Sequence, residues 1–226
     1  KLEKKTRYVS SNFRNKIEHK IIAGIKGKEF YDGNRNYGYG GYKYDGRWLK
    51  TAKKLIKVYN ITDHSSFLHV NCDKGYLLYE MKKLLPNLKI RGLERSKYAI
   101  SKSKKEIRNY IQLGQGPFLK FRNREFDFIY AAGYVYEFAL YQSIQALKEL
   151  MRVSKNKKCF ITLGAFKSKK DYELFKQWSL LGSTILNTKD WIKVLKFANY
   201  RGDYEFATAQ TLGLKRKWKS IVLKTL

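Results

Sequence analysis

Acidic residues, prolines and cysteines are scarce in this 226-residue sequence, and long apolar runs are absent. Only 19 Asp and Glu oppose 48 Lys and Arg, which gives a formal net charge of +29. Two prolines and sixteen glycines exclude a collagen-like chain, whereas 43% hydrophobic residues suffice for a full core. No apolar run approaches the roughly 20 residues that span a bilayer. No apolar segment of a secretory signal follows the N-terminal lysines. We therefore expect a soluble, cytoplasmic protein without a membrane span.

The cysteines and histidines are too few and too scattered for structural cross-links. Cys72 and Cys159 cannot form the disulfide framework of a small secreted protein. The three histidines, at positions 19, 64 and 69, lack the spacing to either cysteine that zinc sites use. The sequence therefore predicts two buried thiols and no metal site.

The excess of positive charge has two readings. A strongly positive surface favours a phosphate-rich partner such as RNA. The chain is also rich in Lys, Ile, Asn, Tyr and Phe, which AT-rich codons encode, so codon bias explains many of the lysines. The basic residues are spread along the sequence, and no RNA-binding motif accompanies them. RNA therefore stays an open partner at this stage.

Strand-like and helix-like patterns alternate from residue 67 onward. This order predicts an α/β protein with a doubly wound, mostly parallel Rossmann-like sheet and helices on both faces. Residues 1–60 are predicted to form a basic N-terminal extension with a Tyr/Gly-rich lid segment, and residues 61–226 the Rossmann-like domain. The predicted strands are 67–70, 89–93, 111–113, 126–132, 159–163, 204–208 and 218–223. The main predicted helices are 11–25, 48–60, 77–85, 140–153, 169–180 and 188–198.

Candidate ligand-binding residues follow the predicted strands. In an open α/β sheet, ligands bind at the carboxyl ends of the strands, near the point where the strand order reverses. Gly75 would let the backbone approach a ligand closely, and the helix that follows it favours an anionic or polar group. Glu94 ends the second strand, where a carboxylate can accept both hydroxyls of a ribose. The two residues lie about twenty positions apart in one βαβ unit, which favours a nucleoside ligand.

Several segments resemble known motifs. FLHVNCDKG at 67–75 and RGLERSKYAI at 91–100 resemble motifs I and II of the class I S-adenosylmethionine-dependent methyltransferases. FDFIYAAGYVYEF at 126–138 resembles the family's strand-four motif, and ALKELMRVSKNKKCFITL at 146–163 its following helix and fifth strand. GNRNYGYGGYKYDGRW at 33–48 is similar to an N-terminal segment of a bacterial subgroup. The resemblance covers roughly residues 30–210.

The resemblance implies S-adenosylmethionine as cofactor and methyl transfer to an O or N atom of a polar acceptor, with a small molecule favoured. Such transfer depends mostly on proximity and orientation, because the sulfonium is already activated. The implied cofactor-binding residues are Asn71, Cys72, Asp73, Gly75, Glu94, Arg95, Gln115 and Ala132. Those that would assist the transfer are Tyr134, Tyr136 and Glu137. Those that would bind the acceptor are Tyr37, Tyr39, Tyr42, Tyr44 and Arg47.

Five positions depart from the family pattern. The family usually has an acidic residue where this chain has His69, and glycines where it has Asn71 and Asp73. Gly133 and Tyr136 stand where related sequences of the subgroup tend to show Asn and His. These exchanges keep a second hypothesis open, a catalytically degenerate relative that acts as a basic RNA-associated or assembly subunit.

Overall fold

The fold is described by a computed structural model, which defines residues 6–9 and 16–216. The helices are α1 (Ile17–Ile25), α2 (Lys28–Asp32), α3 (Trp48–Tyr59), α4 (Tyr76–Leu84), α5 (Lys97–Ser101), α6 (Lys105–Arg108), α7 (Leu140–Val153), α8 (Lys169–Trp178) and α9 (Thr188–Phe197), with a 3-10 helix at Val135–Glu137. The strands are β1 (Arg7–Val9), β2 (Ser66–Val70), β3 (Lys89–Glu94), β4 (Ile111–Leu113), β5 (Phe128–Ala131), β6 (Cys159–Phe166), β7 (Leu186–Asn187), β8 (Asp203–Ala207) and β9 (Leu214–Arg216).

Seven strands form the central sheet, in the order β4-β3-β2-β5-β6-β7, and β8 also pairs with β6. Each of these pairs is parallel, and strand order reverses beside β2, which lies between β3 and β5. The carboxyl ends of β2, β3, β4 and β5 therefore meet at one edge, where ligands bind in open α/β sheets. A separate parallel pair joins β1 to β9.

Both faces of the sheet are covered by helices. Successive side chains of a strand point to opposite faces, and those of β2 and β5 divide accordingly. Phe67 and Phe128 pack in a core cluster with residues of α3 and α4. Leu68 and Ile129 pack in the other main cluster, with residues of α7 and α9. The predicted α/β fold, with a parallel sheet between two helical layers, is confirmed.

The helix predicted over residues 11–25 differs from the observed one. The described helix α1 begins at Ile17, and residues 10–15 lie outside the described part of the chain. Ile17 and Ile21, which indicated its apolar face, are 67% and 59% exposed, whereas His19 and Ala23 are buried. Spacing alone does not decide which helical face meets the protein.

One predicted strand is shorter in the structure, and another lies outside the described residues. In the segment 126–132, the β5 ladder begins only at Phe128, because Phe126 makes an isolated bridge to Ser154. The strand predicted over 218–223 lies outside the described residues. The division into an extension and a domain at residue 60 stays a prediction.

The N-terminal helices α1 and α2 lie against the carboxyl edge of the sheet. Ala23, Phe30 and Tyr31 are buried in one cluster with Ala99 of α5 and Leu180, which follows α8. The segment therefore covers the edge at which a ligand would bind. Within residues 6–9 and 16–216, no helix combines the length and apolar character required to cross a membrane.

Candidate functional site

The loop after β2 has an unusual backbone. Asn71 and Asp73 have φ values of 57° and 51°, in the left-handed region that Asn and Asp tolerate better than most residues. Gly75 has a φ of 70° and precedes α4. A Cβ at Gly75 would lie 2.8 Å from side-chain atoms of both Ile107 and Ile111. The left-handed backbone and this close packing therefore favour glycine here, independently of any ligand.

Glu94, at the end of β3, is held entirely by groups of the chain itself. Its side chain is fully buried. Oε1 accepts a hydrogen bond of 2.9 Å from the backbone N–H of Ser96, and Oε2 accepts one of 2.8 Å from that of Asp73. The hydroxyl of Tyr31 lies 3.4 Å from Oε1. The carboxylate thus ties β3 to the loop after β2.

Lys26 places its ammonium group beside this carboxylate. Its backbone ends α1 in the left-handed conformation, and its side chain is only 2% exposed. Nζ donates a hydrogen bond of 2.7 Å to Oδ1 of Asn71. The same atom lies 3.3 Å from Oδ1 of Asp73 and 3.6 Å from Oε1 of Glu94. We call these four residues (Lys26, Asn71, Asp73 and Glu94) the Lys26 cluster.

Electrostatics keeps Lys26 charged despite its burial. Burial by itself lowers the pKa of a lysine, but the carboxylates of Asp73, Glu94 and Glu137 outweigh that effect and raise the pKa above its ordinary value. Burial also raises the pKa of Tyr31, as do Asp73 and Glu94, so its hydroxyl stays neutral and can donate. The cluster therefore holds a cation in a largely water-free site.

Further bonds fix the same segment to the loop. The hydroxyl of Tyr31 donates a bond of 2.9 Å to Asp73. Lys74 forms a salt bridge of 2.7 Å with Asp32 at the end of α2. Ser96, the N-cap of α5, accepts from Ala99 N–H and donates to the backbone carbonyl of Lys26 at 2.5 Å. These bonds join α1 and α2 to the loops after β2 and β3.

A cavity of about 460 Å³ opens next to the cluster. It lies at the carboxyl ends of β2, β3, β4 and β5 and is closed on one side by α1 and on another by the segment after α8. Its volume falls in the range of about 300–1,000 Å³ that small-molecule sites occupy. The residues that line it include Lys20, Asn71, Leu93, Arg95, Gln115, Tyr134, Glu137, Gln142 and Ser183. We call it the main cavity because four strands end at it. A larger but more open groove of about 620 Å³, lined among others by Lys26, Arg95 and Gln115, lies beside it.

Glu137 is the titratable group of the main cavity that is tuned to neutral pH. Burial raises its pKa to about 7, although Lys26 and Arg95 act in the opposite direction. Its Oε1 lies 3.5 Å from Nδ2 of Asn71, and its Oε2 lies 4.0 Å from Nη2 of Arg95. Such a group can take or give a proton near pH 7.

A smaller cavity of about 180 Å³ lies on the other side of Asn71. His69 lines it with a buried ring whose Nδ1 has no hydrogen-bond partner among the described residues. Burial lowers the pKa of His69 to about 4, so the ring is neutral at pH 7. Tyr42, Arg47 and Ala132 also line this cavity.

The structure distributes the predicted cofactor residues between the two cavities and the core. Asn71, Arg95 and Gln115 line the main cavity. Asn71, Cys72, Asp73 and Ala132 line the smaller one. The thiol of Cys72 packs in the core against Gly92, and burial raises its pKa. Gly75 and Glu94 lie behind the loop and line neither cavity.

The predicted catalytic and acceptor-binding residues divide in the same way. Tyr134 and Glu137 line the main cavity, whereas Tyr136 is buried against Gly164 and Phe175 and does not reach it. Of the five acceptor candidates, Tyr42 and Arg47 line the smaller cavity. The other three tyrosines pack the lid segment onto its neighbours: Tyr37 against His19, Tyr39 against Trp178 and the backbone of Leu180, and Tyr44 against Glu80.

Sequence reasoning missed Lys26 entirely. It is one of 48 basic residues, and no local pattern distinguishes it from its neighbours. The two carboxylates at Asp73 and Glu94 are the signal that could have indicated a nearby cation, and neither shows which lysine supplies it. The Lys74–Asp32 bridge was missed for the same reason.

The site accommodates S-adenosylmethionine only in part. The space beside Gln115, one of the implied cofactor-binding residues, belongs to the open main cavity. Glu94, to which the resemblance assigns the ribose hydroxyls, is buried behind Lys26 and Tyr31. In this arrangement Glu94 does not fit a ribose, and contact requires both residues to move.

Comparison with known proteins gives structural matches only. No family model and no curated protein matches the chain. A chain from the complex of the Haloferax volcanii Trm112 methyltransferase activator with a putative methyltransferase is similar, with a TM-score of 0.52, 16% identity and coverage of 80% of this chain and 75% of that one. A putative methyltransferase from Bacillus halodurans matches at 0.52, with 15% identity over 66% and 68% of the two chains.

A third match is a putative S-adenosyl-L-methionine-dependent methyltransferase from Methanococcus maripaludis. It has 22% identity and a TM-score of 0.45, over 51% of this chain and 54% of that one, so the chain spans about half of that protein's length. Likeness at these identities shows architecture and leaves chemistry open, because one fold hosts many functions. Together with the parallel sheet and its strand order, the two matches with a TM-score of 0.52 show that the chain has the Rossmann-like α/β methyltransferase fold.

Proposed function

We propose that this chain is a cytoplasmic S-adenosylmethionine-dependent methyltransferase that transfers a methyl group to an O or N atom of a small polar acceptor. The observation that carries the proposal is the main cavity of about 460 Å³, which lies where the carboxyl ends of four neighbouring parallel strands meet. This is the position at which open α/β sheets bind ligands.

The lining of the cavity supports a polar acceptor. Arg95, Gln115 and Gln142 offer donors and acceptors for hydrogen bonds, and Tyr134 closes the cavity through its bond to the carbonyl of Gly116. The cofactor, when bound, supplies an activated methyl group. Glu137, with a pKa of about 7, would accept the proton of an acceptor hydroxyl or ammonium group. The covering by α1 favours a small acceptor over a macromolecule.

Calorimetric titration of the wild-type chain with S-adenosylhomocysteine tests the proposal. We expect binding in the tens of micromolar or tighter, and weaker binding by Glu94→Ala. Glu106→Ala is the matched control, because Glu106 is exposed on α6. A related active methyltransferase serves as the positive control. If it binds S-adenosylhomocysteine and the folded wild-type protein does not, the proposal is wrong.

One observation favours a second candidate, a non-catalytic RNA-associated relative. The ammonium of Lys26 lies where the cofactor would contact Glu94, and the net charge is +29. RNA binding through the basic surface would weaken steeply with salt, because each neutralised phosphate releases counterions. The affinity for single-stranded and duplex RNA, measured across a salt series, tests this second candidate. Weak binding whose affinity changes little with salt concentration would contradict it.

A further inference from the structure

The ammonium group of Lys26 already occupies the space between the carboxylates of Asp73 and Glu94, and Lys26 lies outside the sheet. Lys26 ends α1, whereas its partners Asn71, Asp73 and Glu94 follow β2 and end β3. Two carboxylates and an amide oxygen converge on one buried ammonium group. This donor set, two anions and a neutral oxygen around an alkylammonium, is the chemistry of a site for organic cations.

We infer that Lys26 is an internal ligand of an organic-cation site, and that its side chain has to leave before a cationic ligand can reach Glu94 and Asp73. The inference deepens the proposed function and rests on it for the identity of that ligand. S-adenosylmethionine would place its ribose hydroxyls on Glu94 and its ammonium group near Asp73, so it competes with Lys26 for the same carboxylates. While the ammonium of Lys26 is in place, like-charge repulsion adds to steric exclusion.

The structure also indicates how Lys26 can leave. The body of helix α1 makes few buried contacts, because only His19 and Ala23 of its residues are buried, while Ile17 and Ile25 are 67% and 73% exposed. Few buried contacts make a segment easy to open locally. Gly27 separates Lys26 from α2, which has its own anchor in the Lys74–Asp32 bridge. Once the contacts of Lys26 Nζ and the bond from Ser96 to the Lys26 carbonyl break, the end of α1 can therefore move while α2 keeps its place.

Lys26→Met removes the internal cation and nearly preserves side-chain length. We expect it to bind S-adenosylmethionine at least tenfold more tightly than the wild type, by calorimetry at pH 7.5. Lys74→Met is the matched control: it breaks another buried lysine–carboxylate bridge that anchors the same N-terminal segment. Its affinity should stay at the wild-type level. An equal gain in both variants means general loosening of the lid and overturns the role of Lys26, as does an unchanged affinity in Lys26→Met.

If Lys26→Met does not fold, a second pair of variants tests the same inference. Lys26→Met combined with Asp73→Asn removes one of the carboxylates left unpaired and keeps Glu94. It is compared with Asp73→Asn alone, in which Lys26 still pairs with Glu94. Tighter binding by the double variant supports the inference, and equal binding by the two overturns it.

Chemical rescue tests the cation site without any cofactor. Lys26→Ala leaves space for a short amine, so n-propylammonium should raise its thermal midpoint by several degrees while leaving the wild type unchanged. The neutral isostere 1-propanol should have no such effect. No rescue, or equal rescue by the alcohol, overturns the inference. If rescue succeeds but no variant binds S-adenosylmethionine, the proposed function fails while the cation site stands.

Discussion

Removing the charge of Lys26 should destabilise the protein strongly, and more at high pH than at low pH. Nζ of Lys26 lies 3.6 Å from Oε1 of Glu94, and both side chains are almost completely buried. At an effective dielectric constant of about 20, this separation corresponds to an attraction of about 5 kcal/mol. Loss of one partner of a buried ion pair costs about 3–5 kcal/mol. We expect a loss within that range for Lys26→Met at pH 8.

The dependence on pH follows from the groups that titrate. In the wild type the pKa of Lys26 is raised, so the stability it contributes is complete below its unfolded value and is lost only as pH rises through the folded one. Lys26 therefore stays charged from pH 5 to pH 8. Burial raises the pKa of Glu94 in the wild type, although Lys26 opposes this. In Lys26→Met this opposition is lost and the pKa of Glu94 rises further, so that its ionisation above the unfolded value opposes folding. The penalty should shrink towards pH 5, where Glu94 takes up a proton.

Urea unfolding of wild type and variant at pH 5 and pH 8, followed by tryptophan fluorescence, measures this difference. The difference in free energy of unfolding between the two proteins at each pH cancels the titration of groups that Lys26 does not influence; Glu137, whose pKa Lys26 lowers, adds to the effect of Glu94 in the same direction. A loss below about 1 kcal/mol at pH 8, the level of an exposed ion pair, would refute the reasoning. So would an equal loss at both pH values.

Three further predictions concern neighbouring groups. Glu137→Gln should stabilise the protein by up to about 3 kcal/mol at pH 8 and little at pH 5. The raised pKa of Glu137 costs stability as pH climbs from its unfolded value through about 7; urea unfolding that shows no pH-dependent gain contradicts this. Ser96→Ala should cost about 1–3 kcal/mol by losing the α5 cap and the bond to the carbonyl of Lys26. Ser101→Ala, at an exposed site, should cost less than 0.5 kcal/mol as its control; equal losses would contradict the role of the cap. Trp191→Phe should cost about 1–3 kcal/mol, because it orphans the buried carbonyl of Gly164; a neutral result in thermal unfolding would contradict that.

The strands of the sheet were predictable because their signal is local. Residues 67–70 form a short, mostly apolar run, and residues 89–93 alternate charged with uncharged side chains as far as Gly92. Both segments end in polar turns and are strands in the structure. The polar residues after them, Asn71 and Glu94, then fall at one edge of any parallel sheet. Helix α1 shows the limit of this reasoning. Its isoleucine spacing is correct for a helix, yet Ile17 and Ile21 face outward, because the buried face depends on what packs against it.

The sequence by itself determined the α/β order, the parallel sheet and the loops that form the ligand edge, because period and turn chemistry act over a few residues. Only the tertiary structure decided which groups meet there. Lys26 reaches Asn71 and Glu94 across 45 and 68 positions of chain, and Tyr136 is drawn into the core by Gly164 and Phe175. A buried charge needs a partner, and tertiary packing determines which residue lies close enough to pair with it. The composition of a basic chain does not identify that residue.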